Sequence, residues 1–234
     1  MRKQNAPIHV AMQAVILFHL IVAAGGCRPE QSSTKPLPPH SPTRNDNELV
    51  HPPDEGVIVP SSSFAGVAGS ANKIVYVLDA TGSMMSSFDA LRAQVHIAIQ
   101  NLQTSQSFGI VFINEHNPPA LAPTLLPATL ENKRKALEYV DAMAPRGGTE
   151  PLPGLEKAFA LQPDLIYLFV DPSCFPDKKA ILDLVVKQNL NHVTKLNIIA
   201  FEGGDPDNQK FLKELALRSG GLYRFLSEKD LNGK

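Results

Sequence analysis

Four short apolar runs, Ile74–Leu78, Phe108–Ile113, Leu165–Val170 and Leu196–Phe201, constrain the fold of this chain more than any other feature. None alternates strictly between apolar and polar residues, so each reads as a strand covered on both faces. The segments between them place apolar residues at helical spacing. Phe88, Leu91, Val95, Ala98 and Leu102 share one helical face; so do Ala136, Leu137, Val140 and Met143 within 130–143, and Leu152, Leu155, Ala158 and Phe159. Strands alternating with amphipathic helices predict an α/β domain, a doubly wound and mostly parallel sheet with helices on both faces.

The remaining elements complete a six-stranded sheet. The stretch 118–127 is rich in proline, which admits at most a short edge strand. Pro153 fits the first turn of its helix. A helix is expected from about Asp177 to Gln188, with Ile181, Leu184 and Val185 inward. Asp207 or Asn208 can cap another that buries Phe211, Leu212 and Leu215 and stops at Gly220-Gly221. Leu222–Leu226 then closes the sheet.

Upstream of this domain, expected over 71–234, the composition changes. Residues 28–70 carry eight prolines among Ser, Thr, Asn and charged residues, with no sustained apolar periodicity. Such a segment buries too little surface to offset its ordering entropy and reads as a disordered tether. A flexible coil spans roughly 5–6 Å times the square root of its length, enough to hold a domain tens of ångströms from its anchor. Arg2 and Lys3 precede a mainly apolar run from Val10 to Ala24, followed by Gly25-Gly26-Cys27, which reads as a targeting segment over 1–27. The run is shorter than the roughly 20 residues of a comfortable membrane span. Small residues directly before a cysteine resemble the lipobox of bacterial lipoproteins, which implies cleavage before Cys27, acylation of that residue and attachment at the cell envelope. Ala24, where leucine is usual, and the interruptions at Gln13 and His19 depart from that pattern. An uncleaved anchor and a plain secretory signal are the alternatives.

A net charge of -1 and a pI near 6.7 give no electrostatic case for nucleic acid or an anionic membrane surface. Lys133-Arg134-Lys135 reads as a solvated helix face. Two cysteines, Cys27 and Cys174, make a disulfide framework unexpected.

The residues that carry chemistry sit where the strands end. Asp79-Ala80-Thr81-Gly82-Ser83 follows the first apolar run and puts one carboxylate and two hydroxyls on a tight turn. Asp171 ends the run 165–170, and Gly147-Gly148-Thr149 opens the helix before that strand. In doubly wound sheets ligands bind at the carboxyl ends of the strands, beside the point where strand order reverses. The set Asp79, Thr81, Ser83, Thr149 and Asp171 is therefore a candidate oxygen-rich cradle for a hard divalent cation.

Residues 74–227 resemble a von Willebrand factor A (VWFA) domain, and the five residues match its metal-ion-dependent adhesion site. Its Asp-x-Ser-x-Ser motif corresponds to Asp79, Thr81 and Ser83, its Gly-Gly-Thr threonine to Thr149, and its last aspartate to Asp171. Met84 and the Gly-Gly-x-Tyr at 220–223 also fit. The resemblance implies a Rossmann-like sheet and a bound Mg²⁺, with Mn²⁺ or Ca²⁺ as alternatives. It further implies hydroxyls that bind the ion directly, aspartates that act mostly through water, and a protein ligand that offers an Asp or Glu side chain. Two departures are expected to weaken or alter metal affinity. Thr81 replaces the usual serine and adds a methyl that narrows its rotamers; Pro172 replaces a common glycine, stiffening its loop and displacing the Asp171 carboxylate.

Two other classes compete. Asp79-Ala80-Thr81-Gly82-Ser83 resembles the phosphorylation motif of P-type ATPases and haloacid-dehalogenase relatives, which would make Asp79 the nucleophile of an aspartyl-phosphate phosphoryl-transfer enzyme. Gly204-Asp205-Pro206-Asp207 resembles a later acidic motif of that group, but Ala80 stands where it has lysine. A metal-free interaction module is the other alternative. His96, His116 and His192 have no spacing that names a zinc site or a nucleophile's partner, and Cys174 suits soft metals or plain packing.

Overall fold

The computed structural model describes residues 61–114, 117–173, 175–189, 193–201, 204–227 and 229–230. The expected targeting segment 1–27, the tether over 28–60, and Cys174, His116 and His192 lie outside them. The apolar runs become β3 (Lys73–Asp79), β4 (Ser107–Ile113), β6 (Leu165–Val170) and β7 (Lys195–Phe201). With β5 (Leu126–Pro127) and β8 (Tyr223–Leu226) they form a six-stranded sheet in the order β5-β4-β3-β6-β7-β8. All its pairings are parallel except that of β5, and the prolines around β5 keep it a two-residue strand at the edge.

Strand order explains where a site belongs. The chain enters at β3, builds outward through β4 to β5, then returns to β6 on the other side of β3 and builds outward again. Crossovers on opposite sides of β3 diverge at the carboxyl ends of β3 and β6, leaving the crevice characteristic of doubly wound sheets.

Helices cover both faces. The sheet face carrying Ile74, Tyr76, Phe108, Ile110, Tyr167 and Phe169 packs against α1 (Phe88–Gln100) and α2 (Leu130–Asp141). The opposite face, with Val75, Val77, Val111, Ile166 and Ile198, packs against α3 (Pro151–Ala160), α4 (Lys178–Gln188) and α5 (Pro206–Arg218). The four inner strands β3, β4, β6 and β7 thus feed two cores from alternate residues, which is why, apart from their end residues and the buried Asn197, their sequences carry almost no polar side chains.

Residues 61–70 correct the expected boundary of the tether. They form an antiparallel hairpin, β1 (Ser61–Phe64) and β2 (Val67–Ser70), whose turn uses left-handed backbone at Ala65 and Gly66. Phe64 is 1% exposed, edge-on to Tyr76 at 5.4 Å and to Tyr167 at 5.8 Å between ring centroids. Ser62 Oγ lies 3.1 Å from the Tyr167 hydroxyl, and Arg224 donates to the Ala65 carbonyl at 3.1 Å. The hairpin belongs to the domain because it seals this aromatic patch.

Helix ends follow the expected chemistry with one change. Asp205, not Asp207 or Asn208, caps α5, its carboxylate accepting from Asp207 N at 2.7 Å with Pro206 in the first turn. Within the basic cluster, Arg134 and Lys135 pair with Glu138 and Glu131 one turn away. Lys133 instead donates to the Gln100 and Leu102 carbonyls, where the C-terminus of α1 favours a cation. His96 bridges α1 and α2 through Asp141 at 2.8 Å, a surface role. Among the described residues, no helix is long and apolar enough to cross a membrane.

Candidate metal centre

Asp79 is the last residue of β3 and is 0% exposed. Both its oxygens are engaged. Thr81 donates to Oδ1 twice, from N at 3.0 Å and from Oγ1 at 2.6 Å, and the Asp171 N–H donates to Oδ2 at 3.1 Å. Burial pushes the Asp79 carboxyl above the usual carboxylate range; the bonds from Thr81 and Asp171 N–H oppose this, and the nearby Asp171 charge adds to it. The result is a buried, hydrogen-bonded acid beside a second acid, an arrangement that a cation would relieve.

Thr81 turns its hydroxyl proton to Asp79, which leaves its lone pairs for other neighbours. Ser83 Oγ lies 3.1 Å and Thr149 Oγ1 3.4 Å from Thr81 Oγ1. These separations bear on whether a cation fits. Ligands at right angles around an octahedral Mg²⁺, at 2.0–2.1 Å from it, lie about 2.9 Å apart. Two hydroxyls at nearly that spacing from a third that is itself bonded to the Asp79 carboxylate make an all-oxygen donor set, which suits a hard cation better than a soft one. Among the described residues no three His, Cys, Asp or Glu side chains cluster, so the hydroxyls are essential to any such site.

The loop that delivers Thr149 is tied down by backbone. Gly82 N donates to the Gly147 carbonyl at 3.1 Å and Arg146 N to the Ala80 carbonyl at 2.9 Å. Gly147 adopts φ +74°, which glycine reaches without strain. Two segments 66 residues apart in sequence, at Thr81 and Gly147, are thereby clamped together.

Asp171 joins the group differently. Its N–H reaches Asp79, but both oxygens of its carboxylate are held by Ser173, from N at 2.8 Å and from Oγ at 2.7 Å. Pro172 sits under this turn, its carbonyl accepting from Asn208 Nδ2 at 2.9 Å. A side chain at Gly204, φ +80°, would lie 2.5 Å from Pro172 Cγ. Ser173, Asn208 and Gly204 therefore position Asp171; the sequence offers Asn208 as a helix cap and Gly204 as part of an acidic loop, and nothing in it marks Ser173. The clue was Pro172 itself: a rigid residue at the rim needs a fitted seat.

Comparison with known families matches residues 72–225 to the von Willebrand factor type A domain. The chain belongs to this family. Among solved structures, a von Willebrand factor type A protein from Catenulispora acidiphila superposes on the VWA domain with TM-score 0.61 at 19% identity, over 71% of this chain and 42% of that one. The pilus adhesin SpaC from Lactobacillus rhamnosus GG, in its open conformation, gives 0.58 at 13%, over 69% and 28%. Proximal thread matrix protein 1 from the mussel byssus gives 0.53 at 16%, over 69% and 43%. This chain thus spans less than half the length of each, and the likeness is one of fold.

Proposed function

We propose that this VWA domain is a divalent-cation-dependent protein-binding module, displayed from the cell envelope by its N-terminal segment. The observation that carries the reading is the convergence of the Thr81, Ser83 and Thr149 hydroxyls above the buried Asp79 carboxylate. Thr81, Ser83 and Thr149 would hold Mg²⁺, with Mn²⁺ or Ca²⁺ as alternatives, while Asp79 and Asp171 balance its charge from behind. When bound, the cation supplies a coordination position for an Asp or Glu oxygen of the partner protein. The chain's own contribution is positional. Asp79 accepts a hydrogen bond from the Thr81 hydroxyl and so leaves the Thr81 lone pairs for the cradle. The Gly147–Gly82 clamp holds Thr149 at hand, and Ser173 fixes Asp171.

A catalytic role for Asp79 draws no support from this geometry, since a phosphoryl acceptor needs an oxygen open to attack and Asp79 is sealed with both oxygens engaged. Failure of beryllofluoride to trap Asp79 would agree with a binding role. For the anchor, Cys27 is proposed as the acylated residue of the mature N-terminus; labelling with radioactive palmitate, lost in Cys27→Ala, tests it. The binding function is tested by capture of envelope proteins on the immobilised full chain with Mg²⁺, with EDTA, and with Ser83→Ala. Capture that EDTA and Ser83→Ala both abolish is expected; capture indifferent to both rejects the metal-dependent reading.

A further inference from the structure

Beside the three hydroxyls lies a second concavity of about 360 Å³, and Ser83 and Asp171 line it as well as the cradle, so the two are continuous. Its apolar lining is Met84, Phe201 and Phe225. Met84 and Phe201 are buried, whereas Phe225, on the edge strand β8, is 43% exposed. The hydroxyl-bearing residues Ser86, Ser173 and Ser227 also line it. Ser173 and Ser227 already donate their protons, to Asp171 and Asp230, and face the cavity as acceptors. Among the described residues no lysine or arginine lines it, and Asp171 is its single formal charge.

This chemistry selects one kind of occupant. An anion is repelled by Asp171 and meets no cationic side chain, so phosphate or a free acid is disfavoured there. An apolar side chain covers Phe225 and removes it from water. Hydroxyls that accept match the backbone N–H groups of an extended peptide, in which residues two apart lie on one side about 7 Å from each other. Resting on the metal-dependent reading above, we infer that the cavity is a second subsite for the same partner. The partner segment is extended and carries an Asp or Glu at the cation with a large apolar side chain two residues away, on the same side, which enters the cavity.

The test uses the purified full chain and three sets of fluorescent Gly/Ser hexapeptides, measured by polarisation in Mg²⁺ and in EDTA. One set carries a single Glu, one carries Glu with Phe two positions away on either side, and one carries Phe with Gln in place of Glu. Glu–Phe peptides are expected to bind about tenfold or more tightly than Glu alone, only with Mg²⁺, with the gain removed by Phe225→Ser and by Ser86→Trp, which fills the cavity. A Mg²⁺-induced rise in melting temperature confirms that each variant is folded with an intact cradle. Equal binding of the Glu and Glu–Phe sets overturns this inference and leaves the metal reading standing. Phe peptides that bind regardless of Glu or EDTA overturn the metal reading and the coupled motif with it, and no binding by any set overturns the inference.

Discussion

Replacing Thr81 with alanine separates two things its hydroxyl does. Thr81 is 1% exposed, and its Oγ1 donates to the buried Asp79 carboxylate at 2.6 Å. A hydrogen bond to a charged group contributes about 1.5–3 kcal/mol, and the N–H groups of residue 81 and Asp171 that remain satisfy only part of the carboxylate. Thr81→Ala should therefore destabilise the metal-free domain by about 2 kcal/mol. For a domain of this size each kcal/mol corresponds to about 2–4 °C, so the melting temperature in EDTA should fall by about 4–8 °C. The second effect concerns the cation. At a hundredfold excess over its dissociation constant, Mg²⁺ adds about 2.7 kcal/mol to the stability of a protein that binds it only when folded, a rise of about 5–10 °C for the wild type. Thr81→Ala should show almost none of that rise, because one of three converging hydroxyls is gone. Thr81→Ser supplies the control: it keeps the hydroxyl, loses a methyl at about 1 kcal/mol, and should keep the Mg²⁺ response. Differential scanning calorimetry of the three proteins across a Mg²⁺ titration reads both effects. A Thr81→Ala protein that melts with the wild type in EDTA, or gains as much from Mg²⁺, would refute the reasoning.

The other hydroxyls should behave differently, because Ser83 is exposed and Thr149 half-exposed. Ser83→Ala and Thr149→Ala should shift stability in EDTA by no more than about 0.5 kcal/mol while abolishing the Mg²⁺ response in calorimetry. Asp79 gives a pH signature. Its folded pKa is raised, so its contribution to metal-free stability is fully present below the unfolded value of about 3.9 and is lost as pH rises through the folded one. The stability difference between wild type and Asp79→Asn in EDTA, followed by urea unfolding, should therefore shift against the wild type as pH increases; a shift in its favour contradicts the burial argument. Phe64→Ala should remove about 3–5 kcal/mol in urea unfolding, since Phe64 packs against Tyr76, Tyr167 and Phe169. A loss under 1 kcal/mol would return the hairpin to the tether.

The four inner strands were legible because they are buried on both faces and leave little room for polar residues, Asn197 being the interior exception, and the covering helices because they repeat their apolar positions every three or four residues. The approach of Thr81, Ser83 and Thr149 to one another was legible from two short motifs, one at the end of β3 and one in the loop before α3. Other features depend on contacts across the fold that no local pattern carries. Ser61–Ser70 reads as a linker by composition, with Phe64 and Val67 isolated among Ser, Gly and Ala, and becomes a hairpin only because Tyr76 and Tyr167 offer it a surface. Ser173, Asn208 and Gly204 come from two stretches of sequence and meet at Pro172. Asp205 caps α5 because Pro206 starts the helix earlier than its apolar residues announce.

The central claim is that Thr81, Ser83 and Thr149 hold a divalent cation in front of Asp79. Anomalous X-ray scattering from crystals of the full chain grown with Mn²⁺ tests it most directly. A single strong anomalous peak is expected within coordination distance of the three hydroxyl oxygens, absent in Ser83→Ala crystals. A well-ordered domain with no peak there, or with its peak elsewhere, would contradict it.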